Sequence, residues 1–495
     1  MTDLRVRAPE TTAAELDAVL EAAVAAAPAF AATRPADRAD QLRQAADALD
    51  AEGPRLVPVA ERESHLPTAR LTGELTRTTF QLRLFAQVLE DGAYLEATLD
   101  PADPGWGMGP RPDLRRVLQP LGPVAIWAAS NFPFAFSVAG GDTASALAAG
   151  APVVLVAHPG HPELSAATAA VLGDALAAAG APEGAFALVG GLDAGRRLVQ
   201  DPRITAAAFT GSLHGGRALF DLAQQRPAPI PFYAEMGSVN PVVVTHAAAE
   251  QRPDEIAEGF VASLTLGVGQ FCTKPGVLLV PAGSGLQARI AGRLGRVGAA
   301  PMLNERIAEG YGAMLGTLAA HPAVTVLAGP DRAAPDPLPT LLGTTAAALL
   351  DDPRGLTQEV FGPTGLVVTY RGRDELFAAV RAFEGQLTAT IQGVDDDPDA
   401  PALLPLLTAR AGRVLWNGWP TGVSVTWAMQ HGGPYPATTN ATTTSVGASA
   451  IDRWLRPVTY QGVPDALLPE PLQDANPWGL PRRVDGVPQP APERV

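Results

Sequence analysis

The chain is nearly devoid of two reactive side chains. Among its 495 residues there is one cysteine, Cys272, and one lysine, Lys274; the other 35 of its 36 basic residues are arginine. A single thiol forms no internal disulfide, which excludes the small stapled scaffolds of secreted proteins. No run of about 18 uncharged apolar residues occurs, so no membrane span is expected. Met1–Pro9 carries two arginines and no apolar stretch, so the expectation is no signal peptide and a cytoplasmic location. Basic residues are also outnumbered, 36 against 51 acidic, for a net charge of −15. Such a surface repels a phosphate backbone, and no nucleic-acid partner is expected.

What is abundant points to a large folded enzyme. Hydrophobic residues make up 47% and charged residues 18% of the chain, enough to bury a sizeable core over two or three domains. Helical spacing runs through Thr12–Gly53 and Leu71–Leu89. Asp-Pro, Pro-Gly and Arg-Pro steps then break the pattern from Asp100 to Pro123, which reads as an extended arm. Short apolar runs follow at Val124–Ala129, Val153–Ala157 and Ile204–Phe209, with helical stretches at Ser137–Ala149 and Leu164–Ala179. This alternation predicts a doubly wound parallel sheet. The rhythm restarts from about Ala234, with strands expected at Pro241–Thr245, Val277–Val280, Leu366–Tyr370, Leu387–Ile391 and Arg413–Trp416. The Pro-rich stretch Arg456–Val495 reads as a second arm or a surface wrap.

Cys272 sits in Gly-Gln-Phe-Cys-Thr-Lys-Pro-Gly, residues 269–276. A lone cysteine is usually a small hydrophobe. Here Gly267, Gly269 and Gly276 let backbone N–H groups and substrate approach it, as a nucleophilic thiol requires. An acyl-enzyme needs a base to activate water. Glu235, between an apolar segment and a strand, is the candidate, and burial there is expected to raise its pKa. A surface carboxylate is the plain alternative. Asn131 lies just beyond a predicted strand, where its amide could hold a developing oxyanion; taken alone it is a turn residue. Thr210-Gly211-Ser212 with Gly216 ends a strand and opens a helix, a place for a pyrophosphate. Glu359 could grip ribose hydroxyls, and Phe361 could stack on a nicotinamide ring.

The order Asn-Phe-Pro (131–133), Phe-Thr-Gly-Ser (209–212), Glu-Met-Gly-x-x-Asn-Pro (235–241), Gly-Gln-x-Cys (269–272) and Glu-x-Phe-Gly-Pro (359–363) resembles the aldehyde dehydrogenase superfamily. The stretches 77–86, 137–147, 385–390, 417–423 and His431-Gly432-Gly433-Pro434 add to it. The likeness is greatest to the bacterial group containing 2-oxoglutarate-semialdehyde (2,5-dioxopentanoate) dehydrogenases and NADP-linked fatty-aldehyde enzymes. It implies an α/β fold of two Rossmann-type doubly wound domains and an oligomerisation arm. The NAD(P)-binding domain would span 1–100 and 121–233, the catalytic domain 234–430, and the arm 101–120 and 456–495. It further implies NADP or NAD as cofactor, no metal, and a homodimer or homotetramer. Cys272 would attack an aldehyde, with Asn131 and the Cys272 N–H holding the oxyanion and Glu235 activating water on the thioester. Ser130, His158, Gly211, Ser212, Gly216, Glu359 and Phe361 would hold the cofactor. Phe132, Phe271, Thr273, Ser424 and Trp427 would line the substrate pocket. Other readings of the same residues are a cofactor-independent thiol esterase or acyl-transfer enzyme and a lapsed paralogue serving as a binding subunit.

Two departures stand out. Val156 occupies the place of the family's cofactor-contacting lysine; losing one charge-assisted hydrogen bond costs roughly 1.5–3 kcal/mol. His158, His161, Arg196 and Arg197 are the candidates to compensate. Ser424, Thr426 and Trp427 stand where Glu, Cys and His are expected, which argues for a bulkier or more apolar aldehyde. Lys274 stands where Asn is frequent, either lowering the thiol pKa or pointing to solvent.

Overall fold

A computed structural model describes residues 10–330 and 336–491. The N-terminal Met1–Pro9 stretch and the last four residues of the expected C-terminal arm, 492–495, fall outside them. Three sheets organise the chain. The first has five parallel strands in the order Phe186–Val189, Val153–Val156, Val124–Trp127, Ala206–Thr210 and Phe232–Glu235. Its two central strands, Val-Ala-Ile-Trp and Val-Val-Leu-Val, are buried throughout, as the unbroken apolar runs require of strands covered on both faces. Helices Pro35–Ala51 and Thr68–Asp91 pack on each other and, with Pro162–Ala178, join its core. The Thr68–Asp91 helix stops at Gly92, in the left-handed region at φ 75°, where a Cβ would lie 2.5 Å from Leu480.

The second sheet has seven strands, ordered Thr325–Ala328, Thr340–Thr345, Thr364–Tyr370, Val277–Pro281, Val242–Val244, Gln386–Gln392 and Ala411–Trp416. All pair in parallel except the first, an antiparallel edge. The third joins Leu455–Gln461, Leu114–Pro120, Thr98–Asp100, Arg482–Val484 and Val487–Gln489. Its longest pairing runs antiparallel from Leu455 opposite Pro120 to Gln461 opposite Leu114, so the two Pro-rich segments meet in one sheet.

Three details differ from the sequence reading. The strand at the expected restart, Phe232–Glu235, belongs to the first sheet, because Thr210 and Glu235 pair across it; the second sheet starts at Val242. The helix expected from Ser137 starts at Gly141, because the preceding residues form turns in which Gly140 N–H donates to the Ser137 carbonyl and Gly141 N–H to that of Ala135. The segment Ala448–Trp454 returns to the first core, where the Trp454 indole donates to Ser145 Oγ at 2.8 Å.

Candidate active site

Cys272 sits in the loop before strand Val277–Pro281. Gly267, Val268 and Gly269 all lie at positive φ, between 55° and 67°, which tightens the chain just ahead of the thiol. A Cβ on Gly269 would lie 2.4 Å from the Gly362 carbonyl, so glycine is needed for this loop to meet the 359–363 segment. Asn240, fully buried and at φ 47°, fixes the loop: its Nδ2 donates to the carbonyls of Cys272 (2.8 Å) and Lys274 (2.9 Å). Gln386 and Thr388 in turn hold the Asn240 segment.

The thiol, a histidine and the expected base form one compact trio, a ligand atom of each lying within 4.8 Å of the other two. Cys272 Sγ lies 3.5 Å from His431 Nε2, and that nitrogen lies 2.9 Å from Glu235 Oε1. Ser445 Oγ donates to Glu235 Oε2 at 2.6 Å. The His431 and Glu235 side chains are all but completely buried. The loop bearing His431 is closed on itself, with His431 N–H donating to Thr444 Oγ1 and Ser445 N–H to the His431 carbonyl. Burial pushes the Cys272 thiol well above its ordinary pKa, and the neighbouring Glu235 charge adds to this. For Glu235 burial also acts upwards, but His431 and the Ser445 and Cys272 hydrogen bonds outweigh it and hold the carboxyl below its usual value. The expected upward shift of Glu235 is therefore corrected: burial is present, but the partners dominate.

Asn131 stands against the same loop. Its Nδ2 donates to the Gln270 carbonyl at 3.1 Å, and its own carbonyl accepts from Arg70. Phe132 packs edge-on against Phe271 and Phe136, at centroid distances of 5.2 and 5.3 Å. Arg70 lies over the Phe132 and Phe271 rings and Arg77 over Phe136. This aromatic wall reaches His431, 6.3 Å from Phe136. Thr273 is tied elsewhere, its Oγ1 accepting from Gly422 N–H. Ser424 and Trp427 are exposed on the loop beyond it.

Ser130, His158, Gly211, Ser212 and Gly216 follow strands of the first sheet at their carboxyl ends, while Glu359 and Phe361 precede strand Thr364–Tyr370 of the second. Ser212 Oγ accepts from Gly215 N–H and caps helix Leu213–Gln224. Gly211 N–H donates to the Glu235 carbonyl, so this turn is joined to the base. A Cβ on Gly216 would lie 2.8 Å from Met236, so the helix N-terminus packs closely beside Glu235. Exposed Leu192 and Leu213 are the first residues of the helices that follow strands Phe186–Val189 and Ala206–Thr210, which two other strands separate in the sheet. Free N–H groups at a helix start beside exposed apolar side chains fit a dinucleotide. Ser130 is half-buried in the turn after strand Val124–Trp127, next to Asn131. Phe361, also half-buried, follows Glu359 on the segment that meets the cysteine loop at Gly362.

Glu359 accepts from Ser238 N–H, and Gly237 leaves room for it. Lys274 is buried, its Nζ donating to the carbonyls of Val360 (2.7 Å) and Thr364 (2.9 Å). The reading that it points to solvent is corrected; two carbonyls and the Glu359 charge hold it inside. It does not reach the thiol, whose pKa rises rather than falls. Val156 is buried in its strand. His158 accepts from Gly160 N–H and stacks on His161; burial lowers its pKa to about 3, so it supplies no charge in place of the missing lysine. His161 is spent on the Ala129 carbonyl and Ser165.

A half-buried thiol beside a histidine and a carboxylate, with a helix N-terminus next to them, suits a thiol-dependent dehydrogenase, and the chain belongs to the aldehyde dehydrogenase family, which it matches over residues 3–454. It is 49% identical to alpha-ketoglutaric semialdehyde dehydrogenase 2 of Azospirillum brasilense, over 96% of this chain and 91% of that protein. It is 44% identical to alpha-ketoglutaric semialdehyde dehydrogenase of Acinetobacter baylyi, over 96% and 92%. The structure of an NAD-dependent aldehyde dehydrogenase from Sinorhizobium meliloti superposes with a TM-score of 0.77 at 24% identity, over 92% of this chain and 88% of that one, a likeness of fold. The chain is thus an NAD(P)-dependent oxidoreductase acting on an aldehyde. Membership does not favour the esterase or the lapsed-subunit reading.

Two residues that contact the candidate site escaped the sequence reading. His431 was within a recognised motif but had no role, because it lies 159 positions from the thiol. Ser445 carried no signal beyond its place in a Thr/Ser-rich stretch.

Proposed function

We propose that the enzyme oxidises 2-oxoglutarate semialdehyde to 2-oxoglutarate with NAD or NADP. The observation that carries the chemistry is the Cys272–His431–Glu235 trio. The substrate reading draws on the two semialdehyde dehydrogenases to which the chain is 49% and 44% identical. Arg70 and Arg77, above the aromatic wall, supply positive charge suited to an anionic tail.

The Glu235–His431 pair, against which the thiol lies, takes up the Cys272 proton as sulfur attacks the aldehyde carbon. Asn131 Nδ2, with one N–H spent on Gln270, offers its other to the oxyanion beside the Cys272 N–H. A bound nicotinamide would supply the hydride acceptor, and loss of hydride would leave a thioester on Cys272. Ser445 orients Glu235, which deprotonates the water that hydrolyses the thioester. Gly211, Ser212 and Gly216 would hold the pyrophosphate, Glu359 the ribose and Phe361 the ring, with Ser130 and His158 shaping the pocket. With Val156 apolar and His158 uncharged, Arg196 and Arg197 are the cations left to meet a 2′-phosphate. We further assign a cytoplasmic homodimer or tetramer formed through the arm sheet; light scattering showing a monomer at micromolar concentration would overturn the assembly.

The test is steady-state turnover of 2-oxoglutarate semialdehyde against pentanal, with each cofactor. A kcat/KM at least tenfold higher for the semialdehyde is expected. Equal values, or none with either cofactor, would refute the substrate.

A further inference from the structure

The three reacting side chains also have the composition and spacing of a zinc site, although no metal was expected from the sequence. One ligand atom from each of Glu235, Cys272 and His431 lies within 4.8 Å of the other two. Tetrahedral zinc with Zn–S of about 2.3 Å and Zn–N and Zn–O of about 2.05 Å would set the S···N edge at about 3.6 Å and the N···O edge at about 3.3 Å. The edges present are 3.5 Å, from Cys272 Sγ to His431 Nε2, and 2.9 Å, from His431 Nε2 to Glu235 Oε1. Neither needs a shift larger than a few tenths of an ångström.

The surroundings favour a metal as well. Two potential anions, a thiolate and a carboxylate, face each other around one imidazole in a buried place. The second carboxylate oxygen is already fixed by Ser445, so Oε1 is left to bind. Oε1 and His431 Nδ1 are both buried with no well-formed hydrogen bond of their own. Thiolate, imidazole and carboxylate together suit zinc better than magnesium or calcium, which take oxygen ligands.

We propose that Cys272 Sγ, His431 Nε2 and Glu235 Oε1 bind Zn2+ as a three-ligand site, and that zinc held there switches the enzyme off by occupying its nucleophile. Binding forms a zinc–thiolate bond and releases the thiol proton to solvent, along with the Nε2 proton of His431 where one is present. No electrons move, and a chelator restores the thiol. The ligands come from the first sheet's edge strand, the cysteine loop and the His431 loop, so a bound ion also ties these three segments together.

The experiment measures alkylation of Cys272 by iodoacetamide, read by mass spectrometry, so it needs neither aldehyde nor cofactor. Because Cys272 is the only thiol, the label reports this site alone. Micromolar ZnCl2 is expected to slow labelling at least tenfold and to stop turnover, both reversed by EDTA; millimolar MgCl2 leaves labelling unchanged. His431→Gln and Glu235→Gln, checked for a native melting transition, are each expected to need at least tenfold more zinc for the same protection. Unimpeded labelling at 100 µM ZnCl2 would overturn the proposal. So would equal protection in wild type and both variants, which would mean that zinc meets the thiol without the other two ligands.

Discussion

Lowering the pH from 8 to 6 should weaken cofactor binding, and Glu359 is the reason. Burial raises its pKa to about 7, while the Lys274 ammonium and the Ser238 N–H keep it from rising further. A raised carboxyl pKa means that the charged form dominates above pH 7 and the neutral form below it. With a midpoint near 7, about nine-tenths of the carboxyls are ionised at pH 8 and about one-tenth at pH 6. If the carboxylate is the form that accepts the ribose hydroxyls, the dissociation constant rises by up to about tenfold over this interval, equivalent to about 1.4 kcal/mol. That is within the range of one charge-assisted hydrogen bond, so the carboxylate grip can supply it. The assay is cofactor titration by tryptophan fluorescence at pH 6, 7 and 8. Glu359→Gln, which cannot titrate, should bind more weakly at pH 8 and show a flat profile. Lys274→Met removes the charge that favours the carboxylate, so its midpoint should move upwards and its affinity at pH 7 should fall. Flat wild-type affinity, or the same slope in Glu359→Gln, would refute the assignment.

Other substitutions probe the supports of the site. Asn240→Ala leaves the Cys272 and Lys274 carbonyls without their donor, and should cost about 2–5 kcal/mol in urea unfolding, with slower alkylation of a displaced Cys272. Glu74→Ala removes the acceptor of two backbone N–H groups in the Phe134–Ala135 turn and should cost about 3–5 kcal/mol by the same measurement, the range for breaking a buried charged network. Val156→Lys should tighten cofactor binding by about ten- to a hundredfold in isothermal titration if the end of its strand contacts the adenosine ribose.

The parts of the site that sequence revealed are those whose chemistry is local. Cys272 is marked by its glycines, Ser212 by its place before a helix, and Asn131 by its place after a strand. Each can be read from a few neighbours. His431 is different. Its loop has no regular structure, and its ring reaches the thiol only because the segment doubles back through Thr444 and Ser445. Lys274 was misread for a related reason. Charged side chains are normally exposed, and its burial depends on two carbonyls some 90 residues away and on Glu359. The fold was legible where strands were continuous Val/Ile/Leu runs, as at Val153–Val156. It was not legible at Thr340–Thr345, whose Thr and Gly residues hide a fully paired strand, nor at Phe186–Val189, a half-buried outer strand.

The electrostatics of the trio impose an order on its work. A thiolate on Cys272 and a carboxylate on Glu235 within 4.8 Å would repel by at least about 3.5 kcal/mol at an effective dielectric constant of 20. That repulsion and burial keep the resting sulfur protonated. In the proposed reaction the thiol therefore loses its proton to the Glu235–His431 pair only as the carbon–sulfur bond forms and the charge passes to the oxyanion at Asn131. Once sulfur is tied up in a thioester it carries no charge, and the repulsion with Glu235 is gone. The carboxylate can then draw a proton from water without opposing the nucleophile. The same two charges that must be used in turn by the reaction are satisfied together by one divalent cation. Catalytic sequence and zinc affinity are thus two consequences of placing a carboxylate and a thiol on either side of one imidazole.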